Sequence, residues 1–328
     1  MIRIIDTMTV LAYSISSQLQ KNLDAIESVR TKIELFPLSP KEELRYRWEG
    51  LVEKIYWSLV LADVAINKEL VLKVLSDAGP KKTNRLEKDV LNYKKAFDYI
   101  RYEWFGSKAK ITSLTIKRLY DIACRPTLGS SDMTFKSKKV TIDRFLDYLQ
   151  AGNEHPIIQA GVAYIQTYMI SPYTDGVGRL SRLVAYLLLY RHGYDFKGLL
   201  AFEEFMRKDI ISLRQARESV AKHNSLTLWL EYWAYAVGVQ ADKVLRNLST
   251  GTFTTHARSS LWKLNRRQKE ILTLLDNPDS KMTNRQVQAK FGVSQITASR
   301  DLGKLTTLGL LVARGNGRSR FYLRGPLF

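Results

Sequence analysis

The segment GLLVARGNGRSRFYL, residues 309–323, is the feature that most restricts what this chain can fold into. Apolar and polar residues alternate on both sides of Gly315-Asn316-Gly317, and alternation around a glycine-rich turn predicts a β-hairpin. Three segments with helical spacing of apolar residues precede it between residues 266 and 305. The C-terminus is therefore predicted to form a small α+β module of helices followed by a hairpin.

Two of these helical segments carry the signals of helix ends. Thr283 and Gln286 form a capping-box pattern, and Gly292 ends the helix that begins there. The turn GVSQ then leads into a third helix, which Ser294 caps. The apolar face of this third helix is formed by Ala298, Leu302 and Leu305. The spacing predicts a helix-turn-helix with the hairpin as its wing.

The opposite face of the third helix is polar and basic. In this geometry its first turns enter the major groove of DNA, where Arg contacts guanine and Gln contacts adenine. The predicted base-contacting residues are Gln295, Thr297 and Arg300, with Lys304 further along the same helix. The predicted contacts to phosphates or to a minor groove are Arg314, Arg318 and Arg320 at the hairpin tip. The segment VSQITASRDLGKLTTLGLL resembles the winged-helix domains of bacterial regulators of the DeoR type.

The distribution of charge favours a nucleic acid as the partner. The formal net charge is +19, and residues 258–328 hold 14 Lys and Arg against 4 Asp and Glu, which places +10 in the last fifth of the chain. The alternative is that the module makes protein contacts and that its arginines form a solvated face. Helix order, hairpin and charge agree on double-stranded DNA, and no membrane is expected as a partner.

Residues 1–248 form the larger part of the chain and are predicted to be mainly α-helical. The predicted helices cover residues 41–75, 86–102, 113–123, 142–149, 156–169, 178–192, 202–223 and 227–248. The segment 130–142 is predicted to form a short hairpin, because Thr, Phe, Val and Ile flank a Lys/Ser turn. Residues 249–260, STGTFTTHARSS, lack apolar periodicity and are predicted to be a linker to a domain at 261–328.

Cysteine usage and hydropathy predict a soluble cytoplasmic protein. Cys124 is the only cysteine, so no intramolecular disulfide forms. Residues 1–20 contain Asp6 within their apolar stretch, which indicates an amphipathic helix rather than a signal peptide. The longest apolar run, Leu183 to Tyr190, is too short to span a bilayer.

The segment ISPYTDGVGRLSRLVAYLLL, residues 170–189, has the features of a phosphate site. Gly176 and Gly178 let backbone N–H groups approach an anion at a helix start. Arg179 and Arg182 add a charged fork, and Asp175 is suited to hold Mg²⁺ that bridges phosphates. The alternative is a loop that only changes the direction of the chain and whose arginines join it to neighbouring helices.

This segment resembles the motif of the Fic family, H-x-F-x-D/E-G-N-G-R-x-x-R, with Tyr173 in place of Phe. The resemblance continues in DVLNYKKAFDYI, HPIIQAGVAYIQ, FEEFMRKDIISLRQA and NSLTLWLEYWAYAVGVQADKVL, and it spans about residues 40–248. It implies a helical fold with a small β-hairpin flap, here near residues 135–140. It also implies a site for Mg²⁺ with ATP or another nucleotide, because most members transfer AMP from ATP to a hydroxyl of a target protein.

Two departures from the Fic motif are at positions that take part in its chemistry. The motif His, which takes the proton from the attacking hydroxyl, is Ser171 here, and loss of a positioned general base costs about 10²–10⁴-fold. The motif Asn, which helps to hold the phosphates, is Val177, whose side chain has no donor. Many relatives also carry an inhibitory helix, S/T-x-x-x-E-G/N, and at its counterpart, residues 58–63, Ala62 replaces the Glu.

These observations leave three functions open. The first is a non-catalytic DNA-binding regulator, in which the larger domain serves as a sensor or as the dimerisation body of a homodimer. The second is an AMP or nucleotidyl transferase with an altered base, and the third is a protein-interaction scaffold. His155 precedes a proline at a predicted helix start, which favours a structural role over a substitute base.

Overall fold

The computed structural model describes residues 12–76, 83–125, 139–151, 154–171, 173, 175–251, 264–277, 280–315 and 317–325. In the larger domain the helices are α1 Ser17–Glu34, α2 Pro40–Val60, α3 Lys68–Ser76, α4 Arg85–Trp104, α5 Ser113–Ala123, α6 Lys139–Gln150, α7 Pro156–Ile170, α8 Val177–Arg191, α9 Glu203–Lys208, α10 Ile210–His223 and α11 Thr227–Thr250. In the C-terminal domain the elements are α12 Arg266–Leu274, β1 Lys281–Thr283, α13 Asn284–Phe291, α14 Gln295–Thr307, β2 Leu311–Arg314 and β3 Phe321–Arg324.

Helix α8 lies at the centre of the larger domain. Each of its residues from Arg179 to Tyr190 is buried, and the helix packs against α7, α4 and α5. Helix α7 is apolar around most of its circumference and is buried along most of its length, as expected for a helix enclosed on all sides. Helices α1 and α11 pack against each other, and α11 also contacts α7. The motif residues 177–191 are thus part of the core.

The segment predicted as one helix over residues 41–75 is two helices, and the prediction is wrong between them. Helix α2 ends at Val60, and Asp63 adopts a positive φ of 56°. The N–H of Val64 then donates to the carbonyl of Leu59 at 3.0 Å, which closes the helix end as a left-handed cap does. The apolar spacing continues through this turn, so periodicity alone gave no signal of the break.

A second predicted helix, residues 202–223, is also divided. Helix α9 ends at Lys208, and Asp209 has φ −116° and ψ 54°. The Asp209 side chain accepts a hydrogen bond from the N–H of Ser212 at 3.4 Å and caps α10. An Asp within a helical pattern competes with the helix for backbone hydrogen bonds and favours a cap.

The predicted hairpin at 130–142 lies in part outside the described residues, as does most of the flap at 135–140. Its last residues, from Lys139 to Ile142, form the first turn of α6 instead of a strand, so this part of the prediction is wrong. Ile142, Phe145 and Leu149 follow helical spacing, and Phe145 and Leu149 are buried in the large core. Burial of this face overrides the β-branched residues at the helix start.

The ends of the larger domain differ slightly from the expected ones. Residues 1–11 of the predicted N-terminal helix lie outside the described residues, and α1 begins only at Ser17, capped by Ser16. Helix α11 extends to Thr250 and ends at Gly251 with a φ of 64°, two residues into the predicted linker. Residues 252–263 lie outside the described part. None of the described helices has the length and hydropathy needed to cross a membrane.

The C-terminal domain has a core of its own. Ile271, Val287, Ala298, Leu302 and Leu305 are fully buried within it. The predicted caps are confirmed: the side chain of Thr283 accepts from the N–H of Gln286, and that of Ser294 accepts from the N–H of Thr297.

The hairpin of β2 and β3 is also confirmed, with Leu311 opposite Arg324. A further strand, β1, pairs antiparallel with β3, so the sheet order is β1-β3-β2. Sequence alternation did not predict β1, because a strand of three residues is too short to show a period.

The two domains meet at the turn that follows α14. Leu308 is buried in the core of the larger domain, and the Tyr102 hydroxyl donates to the carbonyl of Gly309 at 3.2 Å. Arg314 of β2 forms an ion pair with Glu103 of α4. The C-terminal end of α14 is therefore anchored on α4.

We predict that Gly161→Ala destabilises the larger domain and that Gly238→Ala does not. A Cβ at Gly161 would lie 2.6 Å from Cδ1 of Trp233, and overpacking of this kind costs about 1–3 kcal/mol. A Cβ at Gly238 would lie 3.6 Å from Cγ1 of Ile26, an ordinary contact, and helix propensity favours alanine by about 0.5–1 kcal/mol. Urea denaturation of both variants gives the two free energies of unfolding. Equal values for the two variants would contradict close packing of α7 on α11.

Candidate functional site

The loop that leads into α8 is built around two glycines. Gly176 adopts a left-handed φ of 73° just before the first helical residue, Val177. A Cβ at Gly178 would lie 3.3 Å from Nη1 of Arg182, so this glycine leaves space for the arginine. The loop therefore has the tight geometry that the sequence predicts.

Arg179 is held by a carboxylate of the neighbouring helix α4. Its Nη1 donates to Oδ1 of Asp89 at 2.8 Å, and the side chains are only 7% and 3% exposed. The guanidinium carbon also lies 6.0 Å from the ring centre of Tyr93, within the range of a cation–π contact. Arg179 thus ties α8 to α4 in the interior.

Arg182 is held by the main chain of α2. Its Nη2 donates to the carbonyl of Ser58 at 3.0 Å, while the Ser58 hydroxyl donates to Oε1 of Glu203 at 2.5 Å. The Tyr186 hydroxyl donates to the other carboxylate oxygen of Glu203, also at 2.5 Å. All four side chains are buried, and burial raises the pKa of Glu203 above its ordinary value.

The position of Ser58 bears on the predicted counterpart of the inhibitory helix. Ser58 is the first residue of that segment, 58–63, and its carbonyl accepts a hydrogen bond from Arg182 at 3.0 Å. The contact uses a main-chain carbonyl rather than a glutamate. Ala62 itself lies beyond the end of α2, in a turn, and is partly exposed.

The phosphate cradle predicted from the motif is only partly assembled. Gly176 and Gly178 lie together at the start of α8, and Asp175 beside them is exposed. The guanidinium groups of Arg179 and Arg182 instead make buried contacts with α4 and α2. This arrangement supports the alternative in which the arginines join the loop to neighbouring helices.

The fit of Mg²⁺ and nucleotide to this loop depends on the same arginines. Mg²⁺ in nucleotide sites is held by one or two carboxylates and by the phosphates themselves, so exposed Asp175 is compatible with it. Within the described residues, no group of three His, Cys, Asp or Glu side chains is placed to hold a metal ion. Binding of a nucleotide would therefore require cations that are now paired inside the core, and it stays a prediction.

Ser171 lies beside an apolar cavity rather than a polar one. Its hydroxyl accepts a hydrogen bond from the N–H of Tyr173 at 3.3 Å, and the Tyr173 ring stacks on Tyr120 with centroids 3.5 Å apart. The adjoining cavity, of about 160 Å³, is lined mainly by apolar side chains. Lys117, the charged residue of its lining, pairs with Asp121 at 2.5 Å. Among the described residues of this lining there is no imidazole and no carboxylate.

The structural role predicted for His155 is confirmed. Its Nδ1 accepts a hydrogen bond from the N–H of Ile157 at 3.2 Å, which caps α7. Its Nε2 lies 3.2 Å from Oε1 of Glu27. Burial lowers the pKa of His155 below its ordinary value, although Glu27 opposes this effect.

In the C-terminal domain, the N-terminal half of α14 presents the predicted polar edge. Gln295 and Arg300 are exposed and Thr297 is partly exposed, whereas Ala298, Leu302 and Leu305 of the same helix are buried. Lys304 is partly buried, and burial lowers its pKa. Ile296, which is not among the predicted contact residues, is 64% exposed on the same turn. An apolar residue at this place is suited to contact a thymine methyl group.

The wing arginines fall into two groups. Arg320 is exposed beside the turn, and Arg318 belongs to the short 3₁₀ turn 317–319, with its side chain outside the described residues. Arg314 contacts Glu103 of the larger domain, so in this arrangement it joins the domains. Its predicted DNA contact was based on the hairpin pattern, which contains no information about a partner 211 residues away.

Comparison with known proteins supports both halves of this architecture. Residues 267–322 match the family model of the DeoR-like helix-turn-helix domain. A solved Fic family protein from Desulfovibrio desulfuricans G20 has a TM-score of 0.60 and 15% identity, with 95% of this chain and 97% of that chain covered. No curated protein matches the chain significantly.

Two further solved structures resemble a large part of the chain. Residues 134–508 of Fic-1 from C. elegans give a TM-score of 0.58 and 18% identity, with 73% and 75% of the two chains covered. A Fic domain containing signaling protein from Bacteroides thetaiotaomicron VPI-5482 gives 0.52 and 15%, with 73% and 100% covered. At these identities the comparison shows the fold: the larger domain has the fold of Fic family proteins, and the predicted fold class is confirmed.

We predict that Arg179→Met lowers the free energy of unfolding by about 3–5 kcal/mol, because it leaves the Asp89 carboxylate buried without its cation. Adding Asp89→Leu should recover much of this loss. The matched control is Arg207→Met, which breaks the exposed pair with Asp63 and should cost less than about 1 kcal/mol. The measurement is urea denaturation followed by far-UV circular dichroism. A cost for Arg179→Met no larger than the control's would show that the buried pair is not structural.

Proposed function

We propose that this protein is a cytoplasmic DNA-binding regulator whose Fic-fold domain does not transfer AMP. The observation that carries the proposal is the exposed polar edge of α14, where Gln295 and Arg300 face solvent while Ala298 and Leu302 are buried in the domain core. A helix that is anchored through its buried face and whose first turns are exposed to solvent has the geometry of a recognition helix in a major groove. The DeoR-like match over residues 267–322 supports the same assignment.

The surface around α14 is suited to a polyanion. Residues 258–328 carry a formal net charge of +10, and exposed Arg285 and Lys290 lie on α13, next to the recognition helix. Arg320 is exposed at the wing, where it would meet phosphates on the flank of the groove. We infer that base contacts come from the first turns of α14 and phosphate contacts from α13 and the wing.

The contacts of the motif loop support a non-catalytic role for the larger domain. Transfer of AMP to a hydroxyl releases pyrophosphate from ATP and requires a base for the hydroxyl proton. Ser171 is a poor base near neutral pH, and the described part of its cavity lining contains neither imidazole nor carboxylate. Arg179 and Arg182 are engaged by Asp89 and Ser58. The domain then acts as a body that positions the DNA-binding module.

We predict that Arg300→Ala weakens a selected duplex site by about 1–3 kcal/mol and relaxes its sequence preference, because an arginine on this edge reads a base. Arg320→Ala should weaken selected and unrelated duplexes alike, and should reduce the salt slope of the logarithm of the affinity by about one. The control is Arg214→Ala on α10, an exposed arginine of the larger domain. Fluorescence anisotropy of the full chain with a duplex selected from a random library gives all three affinities. Equal losses for Arg300→Ala and Arg214→Ala would contradict the assignment of α14.

We predict that the wild-type chain transfers no adenylyl group from ATP with Mg²⁺, either to itself or to proteins of a cell lysate. The physical reason is the lack of a base at Ser171 and of a donor at Val177. Intact mass spectrometry and labelled ATP provide the measurement. An adduct that forms on wild type and is lost in a folded Asp175→Ala variant would identify the chain as a transferase and overturn the non-catalytic proposal.

A further inference from the structure

A cavity of about 160 Å³ lies beside the motif loop, between α5, α6, α7 and the start of α8. The apolar side chains among its described lining residues are Leu114, Ile116, Ile142, Phe145, Ile170 and Leu180. An engineered cavity of about 150 Å³ with a lining of this kind stays dry and binds benzene. Leu114 is 73% exposed, so the cavity reaches the protein surface. Its size and lining therefore suit a molecule with one six-membered ring.

The cavity wall also contains a buried hydroxyl group. Thr167 of α7 lines the cavity and is 3% exposed, and its Oγ1 has no hydrogen-bond partner in the part of the chain that the structure describes. A polar atom that is buried without a partner costs free energy. The Ser171 hydroxyl, also in the lining, accepts from the N–H of Tyr173 at 3.3 Å. One polar group on a bound molecule would give Thr167 a partner.

The lining favours an uncharged molecule. Lys117 is the only charged side chain among the described lining residues, and its Nζ lies 2.5 Å from Oδ2 of Asp121. A charged ligand would therefore lose its hydration without gaining a countercharge of its own. Neither Arg179 nor Arg182 lines the cavity, so it is distinct from the phosphate site predicted for the motif.

We propose that this cavity binds a small neutral phenol. The ring packs among Ile116, Ile142 and Phe145, and the ligand hydroxyl forms a hydrogen bond with Oγ1 of Thr167. A phenol hydroxyl both donates and accepts, so it matches either orientation of the threonine proton. The proposal goes beyond DNA binding and does not depend on it, because it gives the Fic-fold domain a ligand of its own.

The test uses 4-fluorophenol as the probe and fluorine NMR titration of the full chain. 4-Fluorotoluene has nearly the same shape without the hydroxyl group, and 4-fluorobenzoate carries a charge. We expect 4-fluorophenol to bind, and 4-fluorobenzoate to bind about tenfold more weakly or not at all, because the carboxylate loses its hydration. Absence of 4-fluorophenol binding at millimolar concentration would overturn the proposal, as would equal affinity for 4-fluorobenzoate.

The hydrogen bond is tested with Thr167→Val, which replaces the hydroxyl group by a methyl group of similar size. The affinity for 4-fluorophenol should fall about threefold to tenfold, the range for one hydrogen bond between neutral groups, while the affinity for 4-fluorotoluene should not fall. The control is Thr31→Val, at an exposed threonine of α1, which should change neither affinity. An unchanged ratio of the two affinities in Thr167→Val would overturn the proposal.

The location is tested with Ile116→Trp, whose larger side chain occupies part of the cavity. Both 4-fluorophenol and 4-fluorotoluene should bind this variant more weakly than wild type, because less space is left for the ring. Melting curves check that the variants keep the core. A folded Ile116→Trp variant with wild-type affinity for both probes would place the site elsewhere and overturn the proposal. If this variant does not fold, the affinity ratio of Thr167→Val decides alone.

Discussion

The guanidinium groups of Arg179 and Arg182 leave the central helix α8 and are buried against α4 and α2. A charged group in such an interior is costly unless it is paired and hydrogen-bonded. Asp89 supplies the countercharge for one arginine, and the Ser58 carbonyl beside buried Glu203 supplies the polar surroundings of the other. The contacts of α8 with α4 and α2 therefore depend on two side chains that the motif resemblance assigns to a phosphate site.

The two motif arginines and the two positions that depart from the motif differ in how deeply they are buried. Ser171 and Val177 are both partly exposed, and Val177 packs against the large core. Replacement of an exposed or half-buried residue costs little stability, whereas loss of one partner from a buried ion pair costs much. Substitution of Arg179 is therefore expected to cost more stability than substitution of Ser171.

Local signals predicted the parts of the structure that local interactions determine. Thr283, Ser294 and Gly292 mark helix ends because capping involves residues three or four positions apart, and the structure has these ends as predicted. The breaks at Asp63 and Asp209 lie within continuous apolar spacing and were missed. The same applies to β1, which exists only because β3 offers it hydrogen bonds.

The site could be predicted less fully than the fold, because its partners are remote in the chain. The sequence identified Arg179 and Arg182, but their partners Asp89 and Ser58 lie 90 and 124 positions away. Arg314 was predicted to contact DNA, and no signal in the sequence indicated its partner Glu103, which lies 211 positions away. Periodicity reports which face of an element is buried, and it contains no information about which distant residue that face will meet.

The turn at Gly309 fixes one end of α14, so the helix has the geometry of a lever. Its 13 residues extend about 20 Å at 1.5 Å per residue, with one end fixed on Tyr102 of α4 and the reading edge at the other. A tilt of about 10° at the fixed end moves the reading edge by roughly 3 Å, which is close to the rise of one base pair. Because Ala298, Leu302 and Leu305 anchor α14 in the C-terminal core, such a tilt would carry the whole C-terminal domain with it.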